Sequence, residues 1–410
     1  MALTIRHECP QCGGPFDFQE THRILPCPFC GVQNFLHSDG PIRYVLPPAR
    51  MDRPLLWVPY VRFRGSVFVC AGESVEGRVV DMTGHGFSGP GLPFSLGLRP
   101  QALKLAFRTP ALPGRFLKNI VDVSRIIGRA EETALPLQRR NIFLQASIGE
   151  TVSLLYLPLE RRENGALADG ITGETVCLAG GEETDLPAPP GEETPWTPRF
   201  LATICPECGW NLSGDRESVV LFCENCRRAW SASDAAFREV TAETAPMERG
   251  TPLYLPFWKI AAKIEGPLTL SSFADFIRAT NQPVALRPEW RDGPLSFWIP
   301  AFKIRPDDFL RLSRHMTLHQ DPAPLETGPA RGRLHPVTLP AEEAVQGIPV
   351  VLAHATLAKK ILFPHLPGIR TVVTDTRLVH VPFREGPHDF VQDRLSLAVH
   401  KKTLDFGRYL

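Results

Sequence analysis

The chain has 410 residues, 43% of them apolar, which is enough to build real cores and argues against wholesale disorder. Its 45 Lys and Arg balance 44 Asp and Glu, so the net charge of +1 supplies no bulk electrostatic pull toward nucleic acid or an anionic membrane. The 41 prolines are about twice the usual ~5% share and argue against long uninterrupted helices.

The first residues, MALTIRHECP, hold no apolar stretch ahead of Cys9, so no secretory leader is expected. No run approaches the ~18–20 apolar residues that cross a bilayer. The best candidate, 348–362, is short and carries His354, Lys359 and Lys360. A soluble cytoplasmic protein is expected, and ten cysteines in a reducing compartment read as metal ligands before disulfides. The sequon Asn211-Leu212-Ser213 is then a chance match.

Residues 55–69 alternate around Arg62 and Arg64, as a half-buried strand does. Residues 84–89 match G-x-G-x-x-G, but Pro90 and Pro93 follow instead of a helix, so a turn-rich loop is expected. Pro100 suits the start of a short helix, and Phe116, Ile120, Val123 and Ile127 stand at helical spacing within 115–129. Residues 153–177 read as a hairpin, with turn signals at Asp169-Gly170 and Thr172-Gly173. The stretch 180–199 is acidic, rich in Pro and Gly, and predicts a mobile linker.

In the second half, Ser271 or Ser272 can cap a helix over 273–279, and Pro306 can open another. His315 and His319 stand i, i+4 on that helix, but the glutamate of a metalloprotease signature is missing. Residues 320–336 share the linker's composition and read as an inserted loop. Residues 341–360 carry a weaker helical signal interrupted at Gly347-Ile348-Pro349, and 378–383 and 394–399 flank a turn-rich stretch. The sum is an α+β, β-rich chain with short helices.

Eight of the ten cysteines form four C-x-x-C pairs: Cys9/Cys12, Cys27/Cys30, Cys205/Cys208 and Cys223/Cys226. Each group of four has the spacing C-x2-C-x14-C-x2-C, and the groups are offset by 196 residues. Three landmarks recur in the same order after each group. Trp57-Val58-Pro59-Tyr60 matches Tyr254-Leu255-Pro256-Phe257, Leu98 to Leu103 matches Ile304 to Phe309, and Tyr156-Leu157-Pro158-Leu159 matches Val379 to Phe383. Their offsets of 197, 206 and 224 grow along the chain, as expected of a tandem duplication with insertions in the second copy. The expected organisation is a ribbon at 1–45, a β-rich domain at 46–179, a linker at 180–199, a second ribbon at 200–240 and a second β-rich domain at 241–410.

A C-x-x-C turn aims two sulfurs at one ion, and a second pair after a hairpin-sized spacer completes a tetrahedron, the geometry in which zinc accepts four thiolates. Four thiolates leave no open position, so two structural Zn²⁺ ions are expected, with a single iron per group or redox dithiols as the competing readings. Gly13, Gly31 and Gly209 follow the second cysteine of three pairs, whereas Arg227 stands in the fourth, which predicts a strained or differently shaped turn there. Cys70 and Cys177 stand alone and read as small buried residues.

Cys9-Pro10-Gln11-Cys12-Gly13 with Cys27-Pro28-Phe29-Cys30-Gly31 resembles the zinc-ribbon (rubredoxin-like) fold group, and Cys205-Pro206-Glu207-Cys208-Gly209 with Cys223-Glu224-Asn225-Cys226 is similar but less complete. The resemblance implies two knuckle-bearing hairpins around each ion and covers only the ribbons. Ribbons serve nucleic-acid, protein-contact and purely structural settings alike. Residues 1–45 hold three basic against four acidic side chains, and 199–240 hold five against six, so neither ribbon offers the basic face that phosphate contacts use. No set of residues names an enzymatic chemistry. The aromatic residues 57, 60, 254, 257, 258, 297 and 298 read as core, with an exposed platform for a partner protein as the alternative. The expected function is a non-enzymatic zinc-binding scaffold or adaptor with protein partners. Nucleic-acid binding, or an enzyme with its site in a β-domain cleft, are the alternatives.

Overall fold

The computed structural model describes residues 2–86, 91–119, 128, 141–177, 196–247, 251–320 and 324–410, with the backbone alone of Cys177. Strand outweighs helix, 43% to 17%. By internal packing the chain divides into two compact units. One comprises Met1–Arg64, Val80–Ala130 and Thr151–Ala202, and the other comprises Gly65–Val79, Glu131–Glu150 and Thr203–Leu410.

Two antiparallel hairpins open the chain: β1 (Thr4–Glu8) with β2 (Pro15–Gln19), and β3 (Ile24–Pro26) with β4 (Gln33–His37). There follow β5 (Ile42–Val45), β6 (Leu55–Ala71), β7 (Ser74–His85), the one-turn helix α1 (Arg99–Ala102), β8 (Lys104–Phe107) and β9 (Arg115–Phe116). The series ends with β10 (Ile142–Arg161), β11 (Leu167–Asp169), β12 (Thr175–Cys177) and β13 (Arg199–Ala202). β10 runs parallel to β5 and antiparallel to β11, and β6 pairs with β7, β9 and β10. β13 pairs antiparallel with β4. Pro15 and Pro26 stand at the last pairs of their hairpins, opposite Glu8 and Gln33, so a missing donor there interrupts no run of bonds. The Pro59 carbonyl accepts from the Gly86 N–H at 3.0 Å just past the end of β7.

β6 is buried along nearly its whole length rather than on one face, and Arg62 and Arg64 are inside with it, 1% and 5% exposed. The alternation in sequence predicted a half-buried strand. It failed because Arg62 is neutralised by residues distant in sequence: Asp81 takes a bidentate pair at 2.9 and 3.1 Å, and buried Glu20 accepts a third bond. Ser153 donates to the same glutamate at 3.0 Å. A buried guanidinium is tolerable only with such compensation. Tyr44 is fully buried beside this group, and its hydroxyl has no partner among the described residues.

Of the helical reading at 115–129, Arg115–Phe116 forms β9, and 120–127 lie outside the described residues. So do 87–89 of the glycine motif and 180–195 of the expected linker. Trp196, at the end of that linker, is buried and donates from Nε1 to Ser38 Oγ at 3.2 Å.

In the second unit β14 (Leu212–Ser213), β15 (Val220–Cys223), β16 (Ala229–Ser233) and β17 (Ala236–Val240) form an antiparallel sheet. Asp234 and Ala235, at φ 51° and 58°, make the two-residue turn between the last two strands. The larger sheet is built from β18 (Ala242–Thr244), β19 (Leu253–Glu265), β20 (Ser296–Pro300), β21 (Glu326–Thr327), β22 (Arg333–Leu334), β23 (Arg370–Glu385), β24 (Asp389–Gln392) and β25 (Leu397–His400). Its spine is the antiparallel pair β19/β23, in register from Leu253↔Phe383 to Glu265↔Arg370 with one bulge at Ala261/Ala262.

Helix α2 (Phe273–Ala279) starts where expected, on a reciprocal capping box between Ser272 and Asp275. Helix α3 (Pro306–His319) opens on Pro306, with Asp307 and Asp308 in its first turn. Gly347 separates α4 (Ala341–Gln346) from α5 (Ile348–Ala355), and α6 (Lys359–Leu362) and α7 (Lys401–Gly407) follow. The region 324–336, expected as a loop, supplies β21 and β22, and the turn-rich stretch near the C-terminal end contains the additional strand β24. Trp57, Tyr60, Phe257, Trp258, Phe297 and Trp298 are all at most 3% exposed and belong to the core, while Tyr254 is half-buried. The six buried rings offer no exposed aromatic platform.

Candidate metal centres

The turn that carries each cysteine pair is the same four times. The N–H of the residue four positions after the first cysteine donates to that cysteine's carbonyl, and the cysteine's own N–H donates to the carbonyl five positions on. The pairs are Gly13→Cys9 (2.8 Å) with Cys9→Gly14 (3.0 Å), and Gly31→Cys27 (3.0 Å) with Cys27→Val32 (2.9 Å). In the second unit they are Gly209→Cys205 (2.9 Å) with Cys205→Trp210 (2.7 Å), and Arg227→Cys223 (3.0 Å) with Cys223→Arg228 (2.9 Å). Closing that turn puts its fourth residue in the left-handed region: φ is 72°, 73° and 73° at Gly13, Gly31 and Gly209, and 57° at Arg227. Glycine is the residue that adopts this without steric cost. The expectation of strain at Arg227 is met, while the turn keeps its shape.

The first turn of the first unit lies at the tip of β1/β2 and the second at the tip of β3/β4. In the second unit, Cys205 and Cys208 lie inside the small Ile204↔Asn211 bridge, Cys223 ends β15, and Cys226 lies in the turn from β15 to β16. The structure thereby gathers all eight cysteines into two groups, in each of which the four sulfurs lie within 4.8 Å of one another. Cys9 and Cys30 Sγ are 3.8 Å apart and Cys12 and Cys27 3.7 Å, and in the second group the Cys205–Cys226 and Cys208–Cys223 separations are 3.6 and 3.5 Å. Metal–sulfur bonds of about 2.3 Å in a tetrahedron demand sulfurs about 3.8 Å apart, whereas a disulfide holds them at about 2.05 Å. The geometry therefore fits a tetrathiolate cage around an ion, and the described cysteines are free of disulfides.

Electrostatics point the same way. The N–H groups of Cys30 and Phe29 pull Cys27 down to about 6, and the Asn225 side chain with the Trp210 backbone does the same for Cys208. Cys12, although the Gly14 N–H favours its thiolate, is pushed up to about 12 by burial and by the thiols of Cys30 and Cys27. Burial and then the neighbouring Cys223 and Cys205 push Cys226 up to about 12. Each group favours one thiolate and resists the next. All four ionise together only around a positive ion.

Sequence reading missed the aromatic rings beside the cages. Phe29 is 65% exposed and Trp210 59% exposed, while Ile204 next to Cys205 is half exposed. The other singled-out residues join neither cage. Cys70 is wholly buried, its thiol pushed up to about 12 by burial, and the Cys177 side chain lies outside the described residues. His315 donates from Nε2 to the Leu395 carbonyl at 2.5 Å, and its ring stacks on His319 at 4.1 Å. Among the described residues the two cysteine groups are the clusters of three or more His, Cys, Asp or Glu that could hold a metal.

No protein family matches the chain, and no curated protein or solved structure matches it either. Among the described residues no helix is long and apolar enough to cross a membrane.

Proposed function

We propose that this protein is a non-enzymatic zinc scaffold of the cytoplasm, in which two structural Zn²⁺ ions, held by Cys9, Cys12, Cys27 and Cys30 and by Cys205, Cys208, Cys223 and Cys226, each staple one ribbon of a tandem-duplicated chain. The observation that carries this reading is the pair of four-sulfur groups at cage spacing. Zinc bound there supplies folding energy to a ribbon too small to hold itself together by burial alone, and four thiolates leave no position for substrate.

What supports duplication is a set of backbone bonds that recurs at the sequence landmarks. Leu117 N–H bonds Trp57 O and His335 N–H bonds Tyr254 O, both at 2.9 Å. Gly86 bonds Pro59 and Ala301 bonds Pro256, both at 3.0 Å, and Leu46→Tyr156 has its counterpart in Ala245→His380 at 3.0 and 2.9 Å. The strand pairs recur with them: β5 with β10 and β18 with β23 are parallel, as are β9 with β6 and β22 with β19. Two copies, over 1–179 and 200–410, would offer protein partners two similar surfaces on one chain, a bivalent arrangement.

Elemental analysis of the purified full-length chain tests the metal assignment: two zinc ions per chain are expected, and iron with its visible thiolate bands, or no metal, overturns it. For the scaffold role, a partner captured from the native cell is purified and recombined with the full chain. Binding that requires both metals is expected. Direct binding of DNA or RNA with a steep salt dependence, in place of such a partner, replaces this function with the nucleic-acid one.

A further inference from the structure

Beside the second cage lies a cavity of about 470 Å³, of a size that holds a small organic molecule. Its walls include Arg227, Arg331, Ser213 and Glu224, and Phe222, Leu334 and His335 give it an apolar face with one imidazole. Three features of this wall lack a structural explanation. Arg227 keeps a left-handed backbone at the step where the other three turns use glycine. Such a conformation costs a non-glycine residue on the order of 1–2 kcal/mol, and strain of this kind points to a use for the side chain. One of its guanidinium nitrogens donates to the Pro329 carbonyl at 3.2 Å, which holds the group at the cavity wall. Arg331 is exposed and makes no ion pair or hydrogen bond among the described residues. His335 is only 6% exposed and packs edge-on against Phe302, yet its ring nitrogens make no hydrogen bond among the described residues.

The unused donors select the ligand. Asp215, also on the wall, is paired with Arg408 at 2.7 Å, and the Glu224 carboxylate lies 3.4 Å from the Ser213 hydroxyl. Neither carboxylate is ion-paired with Arg227 or Arg331 among the described residues, so these two guanidinium groups on the cavity wall keep most of their donors for a guest. Guanidinium forks match the planar or tetrahedral oxyanions of carboxylates and phosphates. We propose that this cavity binds a small organic anion, a carboxylate or phosphate attached to a flat apolar body, with Arg227 and Arg331 on the anion, His335 supplying a neutral polar contact, and Phe222 with Leu334 against the body. The site is separate from the scaffold role and belongs to the second copy alone, since glycine occupies the Arg227 step in the first.

The test uses the full-length, metal-loaded chain and two probes, phenyl phosphate and benzoate, titrated by calorimetry. Saturable one-to-one binding of either probe is expected, and which probe binds more tightly names the anion class. Arg331→Ala and Arg227→Gly should each weaken it tenfold or more. Arg227→Gly relieves the backbone strain, so it should keep both metals and melt no lower than the parent. Absence of saturable binding of both probes by the parent protein, or unchanged affinity in both variants, overturns the proposal. Metal content measured on the same samples separates that outcome from failure of the zinc assignment.

Discussion

A Cβ placed on Gly14 would fall 2.4 Å from Cδ2 of Phe29, so the ring of the second turn fills the space above the first. In the other cage the corresponding positions are Trp210 and Asn225, so the large ring and the small partner have traded places. Each cage thus carries one exposed ring, contributed from opposite turns. Introducing Gly14→Trp alone should overpack the tip and cost about 1–3 kcal/mol. Adding Phe29→Asn should recover most of that loss. Competition with a chelator for the first metal, together with thermal melting, measures the cycle, and additive effects of the two changes would show that the rings do not share a site.

Gly31 at φ 73° has nothing within 4 Å of where a Cβ would stand. Replacing it by Ala therefore isolates the backbone term, with no clash to confuse it. A loss of about 1–2 kcal/mol in the stability of the first ribbon is expected, read from denaturant titration of the loaded protein. Gly13→Ala should match it, because its φ of 72° and its open surroundings are the same.

Removal of one thiolate tests whether the two cages are independent. Cys9→Ser should abolish metal at the first site and leave one equivalent at the second, and Cys205→Ser should do the reverse. Elemental analysis of each variant gives the answer directly, and loss of both metals from either variant would tie the two sites into one cooperative unit.

The cages were legible in the sequence because the turn is local: two cysteines, a glycine and a fixed spacing determine where the sulfurs point before the rest of the chain is considered. Caps and helix starts were legible for the same reason, as Ser272 with Asp275 and Pro306 show. What escaped were features set by residues far apart. Arg62 reads as a solvent-facing residue of an alternating strand until Glu20 and Asp81, 42 and 19 positions away, are brought beside it. The strands β21 and β22 are two residues each and carry no period of their own, so only their partners β18 and β19 define them. The exposure of Phe29 and Trp210 was equally hidden, because an aromatic residue beside buried cysteines reads as core.

The Arg62 cluster predicts non-additivity. Arg62→Leu strands the buried Glu20 carboxylate and should cost the first unit about 3–5 kcal/mol. Glu20→Leu alone still leaves Asp81 on the guanidinium and should cost less. The double variant should be more stable than the sum of the two losses, since it buries no unpaired charge between these residues. Urea unfolding of the three proteins distinguishes this from a solvent-exposed arginine, whose removal would change stability by less than about 1 kcal/mol.

His380 makes the stability of the second unit depend on acid. It is fully buried against Phe222, and burial pushes its pKa down to about 4, with a hydrogen bond to the Glu243 backbone only partly offsetting. Burial likewise lowers His354 to about 4 and His335 to about 3. An unfolded histidine titrates near 6.5, so between pH 6.5 and 4 the unfolded chain binds protons that the folded one refuses. The stabilisation is complete above pH 6.5 and is lost as the pH falls toward 4, at up to about 1.4 kcal/mol per pH unit for each histidine. His380→Leu keeps the apolar contact and removes one titrating group. Its unfolding free energy, measured in urea at pH 7.5, 6 and 5, should fall less steeply than the parent's by about that slope. Acid release of metal burdens both proteins alike and cancels in the difference, so parallel profiles would mean that His380 is charged or solvated in the folded protein.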